Sequence, residues 1–300
     1  MRFFIKFIKI IGLFLFVFLI LPIAGVVSYS YLEVALAPVY NAKTMSLNYE
    51  IVGSGEKKLI LLHGLAGSKN YWKRDLENIS RTHQLLLIDL LGFGDSPKPQ
   101  SNYSLNVQLE AIEKIVLKEG FNKNNTVIVG HSLGAILSLE LLAKYPDWFI
   151  GAAVIGLPVF TSKNQFIENM SSQSLFDRLS VGPYAKFVCM LQPIYLVSWL
   201  KPDNLPADVF EDSKKHTWQS YYNSLYEVIL KTNLYTIADS IRNKKLLFIQ
   251  GEADKVAPFA NVKKFAETIL TATFIDVKNG DHQLFLENPS LVWNLINQYF

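Results

Sequence analysis

Hydrophobic residues fall along this chain in two regimes. From Ile10 to Leu32 there are 23 residues without a charge, mostly Ile, Leu, Phe and Val. From about Ser46 onward the apolar residues come in short runs separated by amphipathic stretches. Lys58–Leu62, Gln84–Ile88, Thr126–Val129, Ala152–Ile155, Lys245–Ile249 and Thr273–Val277 are nearly continuous apolar runs. That is the pattern of parallel strands covered on both faces. Between them Leu105, Leu109, Ile112 and Val116 recur at helical spacing, with Gly120 closing the run. A second helix is predicted from about Ser132 to Tyr145, with Pro146 just beyond it. Strands alternating with helices predict an α/β fold with a mostly parallel, doubly wound sheet over 46–156 and 232–300.

One interval breaks the alternation. From 157 to 231 no strand-like run fits. Aromatic residues crowd the interval (Phe160, Phe166, Phe176, Tyr184, Tyr195, Trp199, Trp218, Tyr221, Tyr222, Tyr226), and Pro183, Pro193, Pro202 and Pro206 divide it. This predicts an insertion of short helices between two strands of the sheet.

At about 1.5 Å per residue, the apolar run at 10–32 is long enough as a helix to cross a hydrocarbon core of ~30 Å. It is predicted to be a transmembrane signal anchor behind a short tail at 1–9, in which Arg2, Lys6 and Lys9 precede the span while Glu33 follows it. The positive-inside rule then places the tail in the cytoplasm and the folded body on the periplasmic or extracytoplasmic side of a single-pass protein. The competing reading is a cleaved signal peptide, for which Ala35-Leu36-Ala37 offers a site. An apolar region longer than the roughly 7–15 residues of a signal, and Pro38 after the cut, weigh against it. None of the candidate site residues precedes residue 40, so a body beginning there is expected to keep its chemistry.

Composition narrows the partners. Half the residues are hydrophobic and 18% are charged, and much of the net charge of +3 lies in the N-terminal tail. The body carries no basic stripe that would track nucleic acid. Cys189, the single cysteine, excludes an internal disulfide and lies in an apolar run that suits a buried, inert thiol. His63, His83, His131, His216 and His282 show no metal-ligand spacing, so neither a metal nor a cofactor is expected.

Thr126–Gly134 reads strand, then Gly130-x-Ser132-x-Gly134, then helix. A serine nucleophile standing on so tight a turn leaves no room for a Cβ two positions to either side. The following helix aims its N–H groups at a developing oxyanion. Leu133 N–H is one candidate donor, and Leu65 N–H, from His63-Gly64-Leu65 after an earlier strand, is the other. Serine needs an imidazole to take its proton and a carboxylate to orient the imidazole. His282 and Asp254 follow the last two strands, at the sheet edge where Ser132 sits. Glu252 and Asp281 are rival acids, and His63 a rival base that reads better as a loop-ordering residue.

Taken with HGLAGS (63–68), LIDLLGFGDSPKP (87–99), GEADKVAP (251–258) and GDHQLFLENP (280–289), GHSLG (130–134) makes the body resemble the α/β-hydrolase superfamily. Within it the similarity is to membrane-anchored monoacylglycerol lipases and bacterial esterases. The resemblance implies an α/β-hydrolase fold with the 157–231 insertion as a helical cap. It also implies a carboxylic-ester hydrolase working through Ser132, His282 and Asp254 by way of an acyl-enzyme. The expected partner is a small-molecule ester with an apolar acyl chain; oligomeric state is left open. Two alternatives stand beside it: a C–C bond hydrolase of ring-cleavage products, and a catalytically inactive membrane-anchored binding protein.

Overall fold

A computed structural model describes Phe7, Lys9, Phe14 and residues 16–172, 178–179, 181–195, 201 and 205–300. Most of the 1–9 tail, most of 10–15, and Phe176, Trp199 and Pro202 of the insertion lie outside the described residues.

Seven strands form one sheet in the order β1-β3-β2-β4-β5-β6-β7. They are β1 (Tyr49–Val52), β2 (Lys57–Leu62), β3 (His83–Ile88), β4 (Thr126–His131), β5 (Gly151–Ile155), β6 (Lys245–Gly251) and β7 (Ala272–Val277). All neighbours are parallel except β1, which pairs antiparallel with β3. Successive strand residues feed opposite faces. Ile60, Leu62, Ile128, Val154 and Phe248 pack under one set of helices, chiefly Leu105–Lys118, Leu133–Lys144 and Phe259–Ala266. Leu59, Leu61, Val127, Val129 and Ile249 pack on the other side, against Ile79 and against Val292, Trp293 and Ile296 of the terminal helix Pro289–Tyr299. Two covered faces explain why the central strands read as unbroken apolar runs. β1 shows only a half-buried pattern, because it is a short edge strand, and no apolar run announced it.

Between β5 and β6 the chain leaves the sheet. Lys163–Ser171, Ala185–Met190, Gln192–Tyr195, Ala207–Ser213 and Trp218–Ser224 are helical, and the last runs into the π-helical turn Leu225–Ile229. No strand lies among the described residues of this interval. The interval is seated on the loops after β2 and β3 by polar contacts. Asp212 accepts from Ser68 Oγ and Asn70 Nδ2, both at 2.7 Å, and pairs with Lys215 at 2.8 Å. Lys215 also reaches Asp95 at 3.0 Å, and Ser220 Oγ donates to Gly92 O at 2.9 Å. Gly92 has φ +91°, and a Cβ there would lie 2.5 Å from that of Ser220. Beneath this seat Asp89 is fully buried and accepts from Lys69 Nζ (2.9 Å), Lys69 N (2.6 Å) and Asp95 N (3.0 Å).

The N-terminal helix runs from Phe16 to Ala35, its first five residues π-helical, so Glu33 lies inside it rather than after it. Its last turns do not stand free. Val34 packs with Cys189, Met190 and Trp218, Val27 joins the same cluster, and Ser30 Oγ donates to Met190 O at 2.8 Å. The connector is also fastened. Gln100 Nε2 donates to Ala35 O and Ala37 O, and Lys114 Nζ to Ala42 O and Met45 O. Counting site residues alone left the segment before residue 40 no part in the body; these contacts give it one.

Lys69→Met should cost on the order of 3 kcal/mol of stability, because it strands the Asp89 carboxylate in the interior without its cation. Urea unfolding of the two proteins measures the loss; equal midpoints would mean that the two backbone N–H donors alone hold the charge.

Candidate active site

β4 ends at His131, and the next residue turns the chain through a conformation few side chains adopt. Ser132 has φ +53° and ψ −115°, and the helix Leu133–Lys144 begins directly after it. The sharp reversal forces strand and helix together. A Cβ on Gly130 would lie 2.2 Å from Gly134 O, and one on Gly134 would lie 2.1 Å from Leu62 O. Both glycines are therefore steric necessities of the turn. Ser132 N donates to Ile155 O at 3.0 Å, which ties the turn to the neighbouring strand.

Asp254 follows β6 and is buried. Its Oδ2 accepts from His282 Nδ1 at 2.9 Å and from Gln250 Nε2 at 2.9 Å. Its Oδ1 accepts from Val256 N (2.9 Å) and Ala257 N (2.8 Å). Burial opposes the charged carboxylate, but the His282 imidazole and these donors outweigh it and hold its pKa below the usual carboxylate value. The rival acids stand elsewhere. Glu252 is exposed, and Asp281 accepts from Gln283 N. Neither bonds His282 among the described residues.

Ser132 and His282 line one cavity of about 330 Å³. Their link is this shared space rather than a formed hydrogen bond. Gly64, Leu65 and Ala66 form part of the same wall, and the amide N–H groups of Leu65 and Leu133 have no backbone acceptor among the described residues. The part of the wall supplied by the 157–231 interval is mostly apolar, with Phe166, Met170, Val181, Val209 and Leu225 beside Ser213 and Tyr221. The volume lies within the ~300–1,000 Å³ range of small-molecule sites.

His63 is occupied at both ring nitrogens: Nδ1 donates to Gly64 O (2.8 Å), and Nε2 accepts from Leu90 N (3.0 Å). It orders the β2 loop and has no lone pair free to act as a base. Several contributors were not singled out as site residues by the sequence. His131 Nε2 donates to His282 O at 2.8 Å, and its ring is stacked on Tyr71 with centroids 4.8 Å apart. Gly156 has φ +56°, and a Cβ there would come within 3.1 Å of His282 Nδ1. Gln250 braces Asp254 while also donating to Ala257 O at 2.8 Å. Only their position at strand ends beside the motif residues could have suggested them.

A family model described as alpha/beta hydrolase fold matches residues 57–179. The sheet order, the turn at Ser132 and that match agree. The chain has the α/β-hydrolase fold. Among solved α/β-hydrolase structures it superposes on a carboxylesterase of Nitrososphaera gargenis with a TM-score of 0.68 at 17% identity, covering 88% of this chain and 97% of that one. A bromoperoxidase of Bacillus anthracis gives 0.69 at 17% identity, covering 88% and 99%. In sequence it is 29% identical to the probable lysophospholipase BODYGUARD 5 of Arabidopsis thaliana over 79% of this chain and 62% of that protein. It spans less than two thirds of that plant relative's length. It is also 23% identical to the 2-(acetamidomethylene)succinate hydrolase of Mesorhizobium japonicum, over 85% of this chain and 91% of that protein.

The buried histidines make the fold sensitive to acid. Burial, with the neighbouring His282, pushes His131 down to about 3, and burial pushes His216 down to about 4. His63 is also lowered by burial. The unfolded chain, with histidines near 6.5, therefore binds protons that the folded chain refuses. Stability is fully present above about pH 6.5 and is lost as pH falls toward the folded values, by about 1.4 kcal/mol per pH unit for each such histidine. Asp254, lowered from an ordinary value of 3.8, adds its loss only below this window. Urea midpoints should fall steadily from pH 7 to pH 5; a flat profile would mean that these rings are charged in the fold.

Proposed function

We propose that this chain is a membrane-anchored serine hydrolase of carboxylic esters, with Ser132 as nucleophile, His282 as general base and Asp254 as its orienting acid. The observation that carries the reading is the hydrogen-bonded Asp254–His282 pair facing a strained Ser132 across one cavity. Asp254 fixes the imidazole with its proton on Nδ1, which leaves Nε2 free to take the serine proton. The serine oxygen then attacks the ester carbonyl. Leu65 N–H, on the cavity wall, and Leu133 N–H, at the start of the helix behind Ser132, would take the oxyanion. His282 returns the proton to the departing alcohol, and water, activated by the same imidazole, releases the acid from the acyl-enzyme.

The apolar wall supports a substrate with an apolar acyl chain, monoacylglycerol or similar. The likeness to a probable lysophospholipase supports a lipid-like ester as well. In this reading Ile10–Leu32 spans the membrane, with the tail cytoplasmic and the body on the extracytoplasmic side. The described helix, Phe16–Ala35, has a mean hydropathy of 1.8. Cleavage after Ala37 would remove Ser30 and Val34 from contacts they make with the body, which supports retention of the helix.

Ser132→Ala should abolish ester turnover and labelling by fluorophosphonate probes while leaving urea unfolding unchanged; persistent labelling would assign the chemistry to another serine. Asp254→Asn should lower kcat by up to about 10⁴, because the imidazole is then held in the wrong tautomer. A mild Asp254→Asn beside a damaging Glu252→Gln or Asp281→Asn would reassign the acid. A panel of p-nitrophenyl esters of rising chain length, run beside monoacylglycerols, reads the acyl preference; activity confined to the shortest acetyl esters would overturn the lipid-like substrate.

A further inference from the structure

The place where the N-terminal helix meets the cap has a depth. If the apolar run ends at Leu32, Val27 lies five residues inside it, which is about 8 Å along a helix. Yet Val27, Ser30 and Val34 contact the cap, through Met190 and the cluster of Cys189 and Trp218. The short cap helix Ala185–Met190 therefore lies at the level of the last turns of the span, not above them. Ala185, Cys189 and Met190 face inward and are buried. The opposite side presents Tyr184 at 65% and Phe187 at 47% exposure, with Ile194 at 44% just beyond. Tyr29 and Tyr31 are exposed on the N-terminal helix at the same level. Aromatic residues at one height are the usual furnishing of a membrane–water boundary. A groove of about 450 Å³ runs between Val27, Tyr31 and Leu32 on the helix and Met190 on the cap, and its lining is almost wholly apolar.

We propose that the cap docks on the lipid surface: Tyr184, Phe187 and Ile194 sit in the interfacial layer, at a depth set by the Val27/Ser30/Val34 joint with Met190. At that height the neighbour of an exposed apolar side chain is lipid, so the bilayer is the occupant. Interfacial helices commonly bury an apolar face ~5–10 Å into the headgroup and acyl boundary, which matches the offset of Val27. Lys186, whose Nζ lies over the Trp218 ring at 4.7 Å, is exposed beside this face, where a long stem can keep its charge among the polar headgroups. The docked cap brings the apolar wall of the cavity next to the lipid from which the substrate would come. The inference rests on the reading of Ile10–Leu32 as a retained span.

The test uses the full chain in phosphatidylcholine vesicles, with Cys189→Ala so that an introduced thiol is unique. A fluorophore is placed by Phe187→Cys on the cap, by Phe18→Cys within the span and by Leu270→Cys, which is 95% exposed at the opposite edge of the sheet. Lipids carrying a nitroxide at shallow or deep positions serve as quenchers. The label at 187 should lose most of its fluorescence to the shallow quencher, the label at 18 to the deep one, and the label at 270 to neither. A label at 187 that behaves like the one at 270, while 18 is quenched, overturns cap docking and leaves the anchor standing. Absence of quenching at 18 overturns both. Phe187→Glu in the otherwise unaltered chain gives a second readout that needs no label. The ratio of turnover on vesicle-borne monoacylglycerol to turnover on a water-soluble short ester should fall severalfold, and an unchanged ratio would count against docking.

Discussion

The turn at Ser132 is the constraint around which the remainder is arranged. A left-handed φ at a side-chain-bearing residue costs on the order of 1–3 kcal/mol and persists only where the surroundings over-determine it. Here they do. Ser132 N is held by Ile155 O, Gly130 and Gly134 leave room where a methyl would strike backbone, and the helix behind the turn has nine of its twelve residues buried. The parallel sheet then brings the ends of β6 and β7 to the same edge, so the loops carrying Asp254 and His282 need only a few residues to reach the serine.

The fold was legible where one physical cause dominates. Burial on both faces made β2, β3, β4, β5 and β6 visible as apolar runs; of the two half-buried edge strands β7 also carries such a run, while the four residues of β1 do not. The motif Gly130-x-Ser132-x-Gly134 was legible for a steric reason that the structure repeats atom by atom. Other features depend on partners far away in sequence. Gln250, Gly156 and Tyr71 are ordinary residues in ordinary strand-end or loop positions, and only the folded chain puts them against Asp254, His282 and His131. The ring nitrogens of His63 are another case: its two partners, Gly64 O and Leu90 N, decide that it orders a loop, and Leu90 lies 27 residues away.

Residues 87–99 show how a family motif can be recognised before its purpose is. Asp89, Gly92 and Asp95 touch none of the groups proposed for catalysis. They form a platform: a buried ion pair below, the close approach of Gly92 to Ser220 above, and Lys215 bridging Asp95 to Asp212. The platform seats the interval that supplies the apolar wall of the cavity. Its polar character is sensible for a joint between two separately built layers, because charge-assisted hydrogen bonds have direction and set a unique seating where apolar contacts alone would allow sliding.

Cys189 is the only thiol in the chain, and it lies at the joint between the N-terminal helix and the helices of the 157–231 interval, buried, with burial pushing its pKa up to about 12. Thiol reagents attack the thiolate, so a docked joint conceals the sulfur both sterically and by keeping it protonated. Whenever the N-terminal helix parts from that interval, both protections end together. The molecule thus carries its own reporter of that separation: the rate at which Cys189 is alkylated measures how often the joint opens, without any label being added.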